Sequence, residues 1–132
     1  MGPGGSEKIP ERRADSQMSN GNSGTRRIVV TFADEGLRKS YERLEREDRR
    51  LYNAITRVLD SLRINPAFGV SIAKNLIPAY YIRRYGVSNL HKCNLPGGWR
   101  LLYFVKGTQA EVISIVLEWL PHKKYERRFG YD

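Results

Sequence analysis

Apolar positions recur along this chain in two periods, and the change from one to the other marks out its elements. Residues 26–32 (RRIVVTF) are a short run dense in β-branched residues, as expected of a strand. From there Leu37, Tyr41 and Leu44 fall at helical spacing. Asp34 stands where a helix start needs an acceptor for free N–H groups, and Glu35 is favourable in the first turn. Asp48 is placed to cap a second helix, in which Leu51, Ile55, Val58 and Leu62 form one stripe. Asn65-Pro66 ends it. The two segments predict a helix hairpin with one apolar side each, and the charged residues between the stripes (Arg38, Lys39, Glu42, Arg43 and their neighbours) read as a solvated face.

Residues 66–76 read as a loop that offers Phe68, Val70 and Ile72 to the core, and residues 77–85 (IPAYYIRRY) suit a short helix opening at Pro78. Beyond Asn89 the pattern shortens. Residues 90–95, 99–105 and 111–119 predict three successive antiparallel strands, joined by the turn sequences Leu95-Pro96-Gly97-Gly98 and Lys106-Gly107-Thr108-Gln109. The run from Val112 to Leu117 is apolar on both parities, which suits a central strand covered on both faces. Pro121 ends the ladder, and a polar tail follows.

The predicted fold is therefore α+β: an antiparallel four-stranded sheet in the order β-α-α-β-β-β, covered on one face by the N-terminal helix hairpin. The other face, or its rim, is left to display basic residues. One detail matters for the site. A two-residue loop at Pro96-Gly97 puts Lys92 and Arg100 on opposite faces, whereas a three-residue loop Pro96-Gly97-Gly98 puts Lys92, Asn94 and Arg100 on one face. The paired glycines favour the longer loop.

Composition adds three constraints. Residues 1–25 are rich in Gly, Ser, Asn and Pro and are expected to form a disordered tail, leaving one domain over residues 26–132. No apolar run is long enough to span a membrane, so a cytoplasmic protein without a membrane partner is expected. The single cysteine, Cys93, excludes an internal disulfide and any multi-cysteine metal site. With His91 and His122 the only histidines, neither metal nor cofactor is expected.

Charge changes the picture most. The formal net charge is +9, and between Asp60 and Glu111 stand seven basic residues and no acidic one. A solvated face ordinarily mixes signs, so this stretch points to a polyanion such as nucleic acid. Its members include Lys74, Arg83, Arg84, Lys92 and Arg100, with Tyr80, Tyr81 and Tyr85 interleaved.

Cutting RNA at a phosphodiester requires a base for the 2′-hydroxyl, cations to hold the phosphate as charge grows, and an acid for the leaving 5′-oxygen. Arg100 is the best phosphate clamp, because a guanidinium donates two parallel hydrogen bonds. Lys92 adds a second cation. His122 is the natural proton carrier, the ordinary imidazole pKa being about 6.5. Tyr125 has two candidate roles, stacking on a base or donating a proton, while Asn94, Lys123 and Lys124 border the same region. The plain alternative is a basic, aromatic C-terminus that only packs or binds.

Residues 26–131 resemble the RelE/ParE superfamily of toxin–antitoxin systems. The resemblance rests on the element order, the GWRLLYF strand, the Val-Ile-Ser-Ile strand and the ending HKKY. It implies a small toxin that cuts messenger RNA without a metal, in many members on the ribosome, and a cognate antitoxin protein that occludes the basic site. By resemblance Arg100 matches the family's phosphate-binding arginine, Lys92 a lysine of the preceding strand, His122 and Tyr125 the C-terminal pair, and Lys123 the basic residue between them. Where members often carry a second lysine, this chain has Asn94, and the turn before Gly98 is shorter by one residue. Two other readings are a ParE-like gyrase inhibitor, against which HKKY argues, and a non-catalytic nucleic-acid-binding module.

Overall fold

Asp34 and Asp48 each use one carboxylate oxygen to start a helix, and the first half of the fold follows from them. Asp34 accepts from the N–H of Leu37 at 2.8 Å and Asp48 from that of Leu51 at 3.1 Å. In the computed structural model, which describes residues 26–130, they open α1 (Glu35–Glu47) and α2 (Arg49–Ile64). The expected disordered tail, residues 1–25, lies outside the described residues. Asn65 closes α2 as its C-cap. Leu51, Ala54, Ile55, Val58, Leu59 and Leu62 are all buried along one side of α2. Burying such a side chain stabilises by about 1.5–3 kcal/mol, so this stripe dominates the first core.

Before the hairpin runs β1 (Arg27–Phe32); after it come β2 (Val70–Ser71), a turn at Lys74–Leu76 and α3 (Ala79–Tyr85). Then follow β3 (His91–Asn94), β4 (Arg100–Gly107), β5 (Glu111–Leu120) and α4 (His122–Phe129). The fold is α+β, but its sheet is five-stranded and mixed, in the order β1-β5-β4-β3-β2. The expected antiparallel four-stranded sheet is corrected on two counts. β1 pairs parallel to β5, from Arg27 opposite Glu111 to Phe32 opposite Val116, and β2 adds a two-residue edge antiparallel to β3. Alternation assigns each side chain to a face but carries no information on strand direction, so nothing local could specify the β1–β5 pairing.

The second face is covered too, which overturns the expectation that it stays open. On the α1–α2 side, Cys93, Leu95, Leu101, Tyr103 and Val116 meet the α2 stripe. On the other side, Leu90, Leu102, Leu117 and Leu120 meet Ile77, Tyr81 and Tyr125 from the α3 and α4 segments. β5 lies between β1 and β4 with buried residues directed to both sides, as its double-parity pattern required. The loop residues Phe68 and Val70 do not enter the core as expected; they are exposed, and only Ile72 packs, partly buried, in the second cluster. The loop is held instead by the buried Tyr103, whose hydroxyl donates to the Pro66 carbonyl at 2.8 Å and accepts from Gly69 N–H at 2.9 Å.

The β4–β5 pairing is irregular between Leu102 and Tyr103. Leu102 faces Glu118 while Tyr103 faces Val116, so Leu117 is an extra residue on β5. Such a bulge reverses the alternation beyond it. Glu118 and Leu120 are thereby set opposite Leu102 and Arg100, on the α3–α4 side.

Candidate functional site

Turn geometry decides which polar residues meet. Leu95 N–H donates to the Trp99 carbonyl at 2.8 Å, closing a three-residue loop over Pro96–Gly98. Gly97 and Gly98 have φ of 76° and 81°, a left-handed backbone that side-chain-bearing residues rarely adopt. With that loop Asn94 stands opposite Arg100 and Lys92 opposite Leu102, so Lys92, Asn94 and Arg100 share the α3–α4 face. The neighbours Cys93 and Leu101 point into the other core.

Tyr125, 3 % exposed, is the centre of this group. The Lys92 ammonium lies 5.3 Å from the centroid of its ring and the Arg100 guanidinium 5.4 Å, both within cation–π range. Its burial corrects one expected role, since a ring enclosed to this degree has no free face on which a base can stack. Two cations from adjacent strands thus lie against the one ring. Arg100 donates through one terminal nitrogen to the carbonyls of Gly98 (2.9 Å) and Trp99 (3.2 Å), while its Nε is buried without a hydrogen-bond partner.

His122, at the start of α4, reaches the same turn. A Cβ at Gly98 would lie only 3.2 Å from His122 Cβ, so the absence of a side chain there makes room for His122, while the Gly98 carbonyl accepts from Arg100. One proline, Pro121, separates His122 from the last residue of β5, which fixes the start of α4 at the sheet rim. The exposed imidazole is paired through Nε2 with Glu126 at 2.9 Å, one helical turn on. Lys123 and Lys124 are exposed on α4. Asn94 is exposed next to Arg100 and carries no charge.

Lys74, Arg83 and Arg84 fall outside this group. They are exposed on the Lys74–Leu76 turn and α3, and Arg84 is engaged with its own neighbour, Nε donating to the Tyr85 hydroxyl at 2.9 Å. Lys74 precedes α3, and Arg83 and Arg84 lie on α3, the helix that shares a sheet face with α4.

Sequence reasoning missed the group that secures α4. Glu118 accepts from the Tyr81 hydroxyl at 2.6 Å and from Arg128 at 2.7 Å, and the Arg128 guanidinium lies 3.9 Å from the centroid of the Tyr80 ring. Three elements, α3, β5 and α4, are joined by this one carboxylate. Burial, with Glu118 beside it, pushes the Tyr81 hydroxyl far above the ordinary tyrosine value. The available signal was Glu118 itself, an acid directly after the apolar run from Val112 to Leu117. Glu126 was legible in the same way, four residues beyond His122, once the segment was read as helix instead of polar tail.

No group of three or more potential metal ligands occurs among the described residues. Among them, too, no helix is long and apolar enough to cross a membrane. In comparisons with known proteins, no family model and no curated protein matches the chain.

Proposed function

We propose that this protein is a metal-independent endoribonuclease that cleaves messenger RNA and inhibits translation, acting as the toxin of a toxin–antitoxin pair. The observation that carries the reading is the juxtaposition at the Gly98 turn: two cations from adjacent strands over one buried tyrosine ring, with a histidine bordering the same glycine. Half-exposed Arg100 and Lys92 bring a guanidinium and an ammonium to the same ring, cations suited to phosphate oxygens. Charge-assisted contacts of this kind are worth about 1.5–3 kcal/mol each.

In the proposed reaction the 2′-oxygen loses its proton and attacks the adjacent phosphorus. The bond to the 5′-oxygen breaks, and that oxygen takes up a proton. A 2′,3′-cyclic phosphate and a 5′-hydroxyl result. Arg100 and Lys92 stabilise the charge on the pentavalent phosphate, and His122, oriented by Glu126, moves a proton. Tyr125 positions the cations, and Lys123, Lys124, Asn94 and the Lys74, Arg83, Arg84 surface guide the RNA. The partner that occludes this basic rim is an antitoxin protein. A non-catalytic RNA-binding module is the second reading, favoured by one observation: Nε2 of His122 is already engaged by Glu126.

Induced expression separates the readings. Translation should stop and transcripts acquire new 5′ ends. Arg100→Ala and His122→Ala should each lower the cleavage rate at least about 100-fold, in the range of general acid–base and electrostatic contributions. Arrest with intact transcripts would favour the binding module, and DNA damage with intact transcripts a gyrase inhibitor.

A further inference from the structure

A second feature borders the same turn on the opposite side of the sheet. Between the α1–α2 junction and the 96–98 loop lies a cavity of about 290 Å³, lined by Asp48, Arg50, Leu51, Pro96, Gly97 and Trp99. We propose that this cavity is a nucleobase pocket, in which one base of the bound RNA stacks on Trp99 and donates hydrogen bonds to Asp48. The proposal rests on the ribonuclease reading and adds to it the element that selects the base.

Size, chemistry and position each support it. The volume is at the small end of ligand pockets, about 300–1,000 Å³, and suits one planar ring system better than a peptide segment. Half-buried Trp99 supplies an aromatic wall and buried Leu51 an apolar floor. Stacking of a base on such a ring tolerates any base, so selection must come from the polar lining. The helix cap uses only Oδ1 of Asp48, and a carboxylate offers about four acceptor sites, so acceptors remain for both N–H bonds of an exocyclic amine. Arg50, exposed at the mouth, gives the neighbouring phosphate a cation.

Position links the pocket to the site. Trp99 and Arg100 are consecutive on an extended chain, so their side chains leave opposite faces of the sheet. An RNA strand held by Arg100 on one face must pass over the 96–98 turn to reach Trp99 on the other. Gly97 and Gly98 present no side chain to obstruct it.

The test uses the full chain carrying Trp119→Phe, so that Trp99 is the only tryptophan. The probes are 2′-O-methyl tetranucleotides of adenine, cytosine or uracil, which lack the attacking hydroxyl and stay intact. Binding is read both by Trp99 fluorescence and by anisotropy of an end-labelled probe. Saturable quenching is expected, with adenine and cytosine, which carry an exocyclic amine, bound more tightly than uracil. Asp48→Asn, which keeps the helix cap, should weaken the adenine and cytosine probes about 5- to 10-fold and narrow their advantage over uracil. Arg100-dependent binding by anisotropy with Trp99 unquenched would overturn the pocket and leave the ribonuclease reading standing. Absence of binding in both signals would overturn the two together.

Discussion

The two faces of the sheet are built from different materials. On the α1–α2 face, the stripe from Leu51 to Leu62 meets Cys93, Leu95, Leu101, Tyr103 and Val116. On the α3–α4 face, Lys92, Arg100, Glu118 and Arg128 are set among Tyr81, Leu102, Leu120 and Tyr125. Both helix pairs cover the sheet, but the cations converge on the second. Half-buried charges cost desolvation energy, and they return it only when paired. Glu118 and Arg128 are paired; Arg100 retains a buried Nε with no partner. One face supplies stability, and the other holds charge in place at some cost to stability.

That contrast can be broken or sharpened by substitution. Leu62 is fully buried in the first core, and Leu62→Ala should lower unfolding free energy by about 2–5 kcal/mol in a denaturant titration. Its effect on activity should follow the folded fraction alone. Glu118→Gln leaves Arg128 without a counter-charge. Because both side chains retain some exposure (26 % and 19 %), the loss should be about 1–3 kcal/mol, below that of a fully buried pair. Hydrogen exchange in α4 should rise more than in α2; equal rises would dissolve the distinction between the faces.

Gly98→Ala forces a side chain into left-handed backbone with His122 Cβ 3.2 Å away, and should cost about 1–2 kcal/mol while moving the start of α4. The smallest effect belongs to His91, which stacks on Tyr103 and has a buried, unpartnered Nδ1. Burial holds its pKa below the ordinary imidazole value. The unfolded chain therefore takes up a proton that the folded one resists. The stability this group contributes is complete above about pH 6.5 and is lost as pH falls through the lower folded-state value. Melting temperature should decline over that window, and His91→Phe should flatten the decline.

Much of the first face was legible in the sequence because local rules govern it. Asp34, Asp48 and Asn65 mark helix ends by side-chain chemistry, and the stripe on α2 is a single period. The loop at Gly97-Gly98 was legible for the same reason, since two adjacent glycines permit two successive positive φ values. The second face was harder to read. α4 has only Tyr125 and Phe129 as inward apolar residues, so HKKYERRF looks like a solvated tail until Pro121 and the His122–Glu126 spacing are weighed. The parallel pairing of β1 joins segments far apart in the chain, and β2 is too short to carry a pattern. Of the candidate site, Lys92, Arg100 and Tyr125 do converge. The carboxylates that hold α4 and His122 came from outside the list of cations that drew attention first.

The extra residue at Leu117 means that the rim of this protein is set by counting. A strand that closed this bulge by sliding Leu117 opposite Leu102 would keep the same composition, yet it would swing Glu118 away from Tyr81 and Arg128 and carry Leu120 to the wrong layer. Register at this point, more than chemical identity, is what the strand must preserve.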